Sequence, residues 1–203
     1  MKKLFLLLCV CAAVTGVASA PADGLPPQAK RGGMPLLEAF SRRRTIREFR
    51  PDALTDRQLN ELLWAACGVN RPDGKRTIPT AMNRQDLSVI VLLPAGAYWY
   101  DAPAAKLVLH KAGDFRPQAS RFDAPVKLLF VSDTEKLKPT PDGRDFAAVH
   151  AGAAAQNAAL YCASEGLANV WVGGFDPAAL SQALELPAKW KIQLTMAVGL
   201  PAK

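Results

Sequence analysis

The sequence predicts an α+β protein with a mixed central β-sheet flanked by helices, and three observations carry that prediction. Helix-like stretches open the folded part, strands fill its middle, and its end alternates helix, strand, helix and strand. At 203 residues the chain has room for one domain with a sizeable core. Half of its residues are hydrophobic and 21% are charged, a globular composition that excludes a disordered or fibrous chain. No repeat period is visible, which excludes solenoids and propellers.

Taken in order, the chain opens on Lys2-Lys3, an apolar run over residues 4–14, and small residues through Ala18-Ser19-Ala20. These are the parts of a secretory signal peptide. The other reading is a retained membrane anchor, but the run falls short of the ~20 apolar residues that a spanning helix needs. Residues 1–20 are therefore expected to be removed, with the cut falling between 18 and 22 because Pro21 hinders cleavage directly after Ala20. The protein is then exported, periplasmic or secreted, without a stable membrane anchor. Residues 21–33 read as a flexible leader and residues 34–203 as a single domain.

Within that domain, Leu36, Leu37 and Phe40 give a helix over residues 34–41. Thr55 caps an amphipathic helix with Leu59, Leu62, Leu63 and Ala66 on one face, and Gly68 ends it. Turn formers (Asn70, Pro72, Asp73-Gly74, Pro79) occupy residues 69–86. Residues 87–93 are a continuous apolar run of the kind that belongs in a buried strand, and residues 126–131 read as a further buried strand. Between them, residues 98–100 and 106–110 alternate around Asp101-Ala102-Pro103 as a hairpin. Its aromatic cluster Tyr98-Trp99-Tyr100 reads either as packing or as a lid over a substrate. An alanine-rich helix over residues 145–165 stops at Gly166, and a strand (169–172), a helix (177–184) and a last strand (192–198) complete the domain.

The formal charge is +7, and without Lys2 and Lys3 it is 23 basic against 18 acidic groups. Such a balance attracts anions without choosing among nucleic acid, an anionic membrane and a phosphorylated cofactor. No nucleic-acid recognition motif accompanies it. Of the four cysteines, Cys67 and Cys162 remain after signal removal. An oxidising compartment permits a bridge between them, while their alanine-rich surroundings suit small buried thiols. His110 and His150, the two histidines, are too far apart in sequence to propose a ligand set or a triad, and no spacing suggests a metal site.

Three local features carry chemistry. Between Arg42 and Arg50 lie five arginines with a hydroxyl in their midst. Guanidinium forks match phosphate oxygens, and in an extended segment Arg43, Thr45 and Arg47 point the same way. A solvated basic run at a helix end is the plainer reading. Pro79-Thr80-Ala81-Met82-Asn83-Arg84-Gln85, just before a buried strand, supplies paired amide donors and acceptors suited to a polar heterocycle, or is an ordinary loop. Gly173-Gly174-Phe175-Asp176 after a strand lets backbone N–H groups approach a ligand, or is a turn.

In this order, Arg-Arg-Thr-Ile-Arg-x-Phe, Pro-Thr-Ala-Met-Asn-Arg-Gln and Gly-Gly-Phe-Asp resemble the nitroreductase family of FMN-dependent oxidoreductases, most of all its SagB-like dehydrogenase branch. The resemblance spans roughly residues 36–201 and implies a nitroreductase-like fold. It implies FMN as cofactor, with Arg43, Arg44, Thr45 and Arg47 on the phosphate and ribityl chain. It further places Thr80, Asn83 and Gln85 on the ribityl chain and ring edge, and Gly173 and Gly174 against the isoalloxazine. Where many members add a basic pair near the C-terminus, this chain offers Lys203. The helix holding Gly152, Gln156 and Asn157 resembles the family's central helix at the core of a homodimer, although the polar pair equally suits capping of neighbouring loops. The flavin would carry the redox chemistry toward a small-molecule substrate, so no catalytic side chain is required and no metal is expected. The alternative is a non-catalytic exported protein of the same fold that binds a flavin or another anion.

Overall fold

A computed structural model describes residues 32–137 and 145–202; the expected signal peptide, most of the leader and Lys203 lie outside the described residues. Six strands form one sheet in the order β3-β2-β1-β4-β6-β5. They are β1 (Leu87–Leu93), β2 (Gly96–Asp101), β3 (Lys106–Ala112), β4 (Val126–Asp133), β5 (Ala168–Val172) and β6 (Trp190–Gly199). The α+β class holds, but the mixed sheet is corrected: every paired neighbour is antiparallel. Strands β4 and β5 do run parallel, joined by a long helix. However, β6 inserts between them, antiparallel to both, so they never pair.

Helices α2 (Asp56–Cys67) and α4 (Ala147–Ser164) cover one face of this sheet, with α1 (Leu36–Arg42) packed on α4, and α3 (Arg116–Ala119) and α5 (Pro177–Ala183) cover the other. The alternation of side chains along β4 explains the division. Leu128 and Phe130 join Leu62, Leu63 and Met196 beneath α2 and α4. Leu129 and Val131 join Ile90, Leu180 and Leu184 beneath α5. Helix α2 begins as its sequence requires, in a capping box: Gln58 N–H donates to Thr55 Oγ1 (3.2 Å) while Thr55 N–H donates to Gln58 Oε1 (3.0 Å). Gly166, at φ 67°, takes the left-handed turn that ends α4, and Leu167 N–H reaches back to the Cys162 carbonyl (2.8 Å). Alanines fill the sheet-facing side of α4, so the helix lies close against the strands.

The hairpin's tyrosines point inward, with Tyr98 and Tyr100 in the core and Trp99 packed on Trp190 at 4.8 Å between ring centroids. The cluster is packing and not a lid. Cys67 and Cys162 are free thiols buried in that same core, so the permitted bridge is absent. Burial pushes the Cys67 thiol up to about 11 and raises that of Cys162 as well. A thiol-reactive disulfide reagent is therefore expected to label neither cysteine in the native protein and both after unfolding; rapid native labelling would contradict this packing.

Candidate functional site

The arginine segment leaves α1 at Arg43, whose φ of −58° and ψ of 122° turn the chain into an extended path. Two contacts hold that path in place. Ile46 N–H donates to the Asn169 carbonyl of β5 (2.9 Å), and residues 48–50 run antiparallel to 200–202, through Arg50 N–H to Leu200 O and Ala202 N–H to Glu48 O. Between them opens a pocket of about 480 Å³, with Arg43, Arg44, Gly166, Asn169 and Pro201 in its wall. Their neighbours are engaged: Arg42, also in the pocket wall, pairs with Glu38, Arg50 with Asp52, and Arg57 with both Glu61 and Glu165. Arg43, Arg44 and Arg47 are exposed, and among the described residues their guanidinium groups pair with no carboxylate. Thr45 and Arg47, on the same segment, stand outside the pocket wall.

Strand β5 links this pocket to the glycine pair. Asn169, Trp171 and Gly173 share one side of the extended chain, and Gly173 stands about 13 Å from Asn169 at ~3.3 Å per residue. Gly173 and Gly174 are exposed, and a Cβ built on either would meet nothing within 4 Å. The chain thus presents an open shelf there, and the adjoining Asp176 caps α5 by accepting from Ala178 and Ala179 N–H (3.0 Å each).

Thr80, Asn83 and Gln85 form one hydrogen-bonded unit. Gln85 N–H donates to Thr80 Oγ1 (3.0 Å), Asn83 N–H to the Thr80 carbonyl (2.9 Å), and Gln85 Nε2 to Asn83 Oδ1 (3.3 Å). Met82, Asn83 and Gln85 all take left-handed φ values of 47–52°, unfavourable for non-glycine residues. A clamp missed by sequence reasoning holds them. Ala81 N–H donates to His150 Nε2 (2.8 Å), and His150 Nδ1 bonds Asp86 Oδ1 (2.7 Å) in a fully buried contact. Because Nε2 accepts from Ala81, Nδ1 carries the ring hydrogen and donates it in a hydrogen bond to Asp86 Oδ1. The available signal was a polar residue out of pattern: an aspartate directly before an apolar strand and a histidine within an alanine-rich helix.

These parts do not all meet within the chain. The Asn83 loop is clamped at His150 near the start of α4, whereas Ala163, near its end, lines the arginine pocket. Between those two residues the helix advances about 20 Å. The arginine pocket and the glycine shelf share one strand; the loop lies at the far end of α4. No group of three or more His, Cys, Asp or Glu among the described residues is placed to hold a metal, and no described helix is long and apolar enough to cross a membrane.

Residues 40–200 match the family model for nitroreductases. The chain belongs to the nitroreductase family. Membership makes it an oxidoreductase, with FMN as the family's cofactor. A nitroreductase-type protein of Methanocaldococcus jannaschii is 30% identical over 69% of this chain and 79% of its own length. A crystal structure of another, from Ralstonia eutropha JMP134, superimposes with a TM-score of 0.83 at 37% identity, covering 88% of this chain and 89% of that one. A third, from Desulfovibrio desulfuricans and solved in complex with FMN, has a TM-score of 0.61 at 25% identity over 85% of this nitroreductase-family chain and 89% of its own.

Proposed function

We propose that this protein binds FMN with the phosphate at Arg43, Arg44, Thr45 and Arg47, the ring against Gly173 and Gly174, and Lys203 as a further cation. We further propose that it transfers hydride or electrons to or from a small organic molecule, as a nitroreductase or a SagB-type dehydrogenase. The observation that carries this reading is the set of carboxylate-free guanidinium groups at a pocket whose strand leads directly to the open glycine shelf. A phosphate dianion favours several such forks at once. When bound, FMN supplies the redox chemistry. The chain's own part is to neutralise the phosphate, leave backbone N–H groups uncovered at the shelf, and give the ring a surface that no side chain occupies.

The position of the Asn83 loop argues for a homodimer. Two copies related by a two-fold axis across α4 would bring the loop of one toward the pocket of the other. Val149, Gly152, Gln156, Leu160 and Ala163 recur at helical spacing on the outward side of α4, and Leu36, Leu37 and Phe40 of α1 are exposed nearby. Asn157, by contrast, donates to the Thr77 carbonyl (3.4 Å) and serves a neighbouring loop. Export remains part of the proposal and rests on residues 1–20.

Purified full-length protein should show flavin absorbance bands, elute with the mass of two chains, and after chemical reduction pass its electrons to a nitroaromatic or quinone acceptor. Flavin that is reduced but turns over no acceptor would instead identify the non-catalytic binding protein. A colourless protein that takes up no FMN would end both readings.

A further inference from the structure

Arg76 stands behind the Asn83 loop and is anchored from two elements. Its Nη1 donates to the carbonyls of Leu87, at the start of β1 (3.2 Å), and of Cys67, at the end of α2 (3.5 Å). Its Nε donates to Gln85 Oε1 (3.3 Å). The same glutamine donates from Nε2 to the Gly74 carbonyl and to Asn83 Oδ1 (3.3 Å each). The direction of these bonds is fixed at both ends, because a guanidinium has donors only and a backbone carbonyl only accepts. Arg76 and Gly74 therefore admit one orientation of the Gln85 amide, with its oxygen toward Arg76 and its nitrogen toward Gly74. Gln85 in turn admits one orientation of Asn83, whose Oδ1 is taken up inside the loop. The Nδ2 amino group is left as the free polar end of an exposed side chain.

We infer that Arg76 is a positioning residue that, through Gln85, fixes Asn83 as a hydrogen-bond donor, so that the loop takes an acceptor oxygen of the cofactor and turns away an N–H. The isoalloxazine ring offers both, two carbonyl oxygens with an imide N–H between them, and the ribityl chain offers further oxygens. An asparagine free to turn over could read any of these; this one reads an oxygen. Its polarity is set before the ligand arrives, so binding needs no reorientation of the amide. The inference rests on the FMN reading and on the two-fold pairing that brings the loop to the pocket of a second copy.

The test is a double-mutant cycle on FMN affinity, measured by titrating the full-length protein, stripped of flavin, with FMN. Gln85→Glu keeps an acceptor for Arg76 but sets a carboxylate oxygen against Asn83 Oδ1, so the Asn83 amide turns over and presents its oxygen instead. FMN should then bind at least about fivefold more weakly. In an Asn83→Ala background the same change should alter affinity by no more than about twofold, because the group it acts through is gone. Simple repulsion between the new carboxylate and the anionic cofactor would persist in that background. Arg76→Met should weaken binding in the same Asn83-dependent way, and Arg76→Lys, which restores a donor, should recover part of it. Repeating the cycle with lumiflavin, which lacks the ribityl chain, assigns the oxygen: coupling that survives places it on the ring, and coupling that disappears places it on the ribityl chain. If Gln85→Glu does not fold, Asn83→Asp decides. It keeps the bond from Gln85 but offers only acceptors, and should bind FMN less tightly than Asn83→Ala. Native affinity in Gln85→Glu or Arg76→Met, a loss that ignores Asn83, or an Asn83→Asp protein that matches Asn83→Ala would overturn the inference while FMN binding stands. Native protein that takes up no FMN would remove the FMN reading, and this inference with it.

Discussion

Replacing both Arg43 and Arg47 with alanine is expected to leave a folded protein that purifies without FMN. Both side chains are exposed and free of carboxylate partners, so their removal should change stability by no more than about 0.5 kcal/mol each. Their loss bears on the ligand instead. A hydrogen bond to a charged group contributes about 1.5–3 kcal/mol, so losing two should weaken FMN binding by about 3 kcal/mol or more, a factor of at least about a hundred. Arg50→Ala is the control: it removes one charge from the same run, but Arg50 already closes on Asp52 (2.9 Å). Flavin absorbance per protein, followed by titration with added FMN, reads the result directly. Undiminished flavin content in the double variant would remove the phosphate assignment, whatever the fold retains.

The second large effect is expected from His150→Leu. The substitution takes away the acceptor for Ala81 N–H and the partner of a buried carboxylate whose Oδ2 already bonds nothing. Stranding Asp86 in this way should cost on the order of 3 kcal/mol of stability, measured as a lower denaturant midpoint. It should also release the left-handed turn at residues 82–85, so that amides there exchange faster with solvent. His150→Gln separates the two consequences, because Oε1 of a glutamine reaches about as far as Nε2 and can accept from Ala81. Partial recovery of loop protection is expected in that variant. A leucine variant with the native midpoint and native exchange would show that the clamp holds nothing.

What the chain shows without its fold is whatever local chemistry decides. The run at 87–93 has no charged residue to prevent burial, and Thr55 with Gln58 specifies a helix start within four residues. Pairing was beyond such reasoning. Whether β6 slots between β4 and β5 depends on strand partners brought together from distant parts of the chain, and that insertion turns an expected mixed sheet into an antiparallel one. The candidate site divides in the same way. An arginine cluster is visible as composition, but its freedom from carboxylates depends on where every Asp and Glu settles. Likewise, the length of α4 is legible in the alanine-rich run that Gly166 ends, but that the Asn83 loop is clamped at its start while the arginine pocket lies at its end depends on the fold. His150 and Asp86 read as isolated polar residues until folding joins them. Lys127 reads as an interruption in a strand until the carbonyls of Arg116 and Ser120, which accept from its Nζ, are in view.

The pairing of residues 48–50 with 200–202 has a consequence for biosynthesis. One wall of the arginine pocket is made early in translation and its seam is closed by residues made much later. A partly synthesised chain therefore has the guanidinium groups but not the cradle, and on the proposed phosphate assignment coenzyme capture would be a late event in maturation. Fusing a bulky tag near that seam should impair cofactor loading more than it impairs folding.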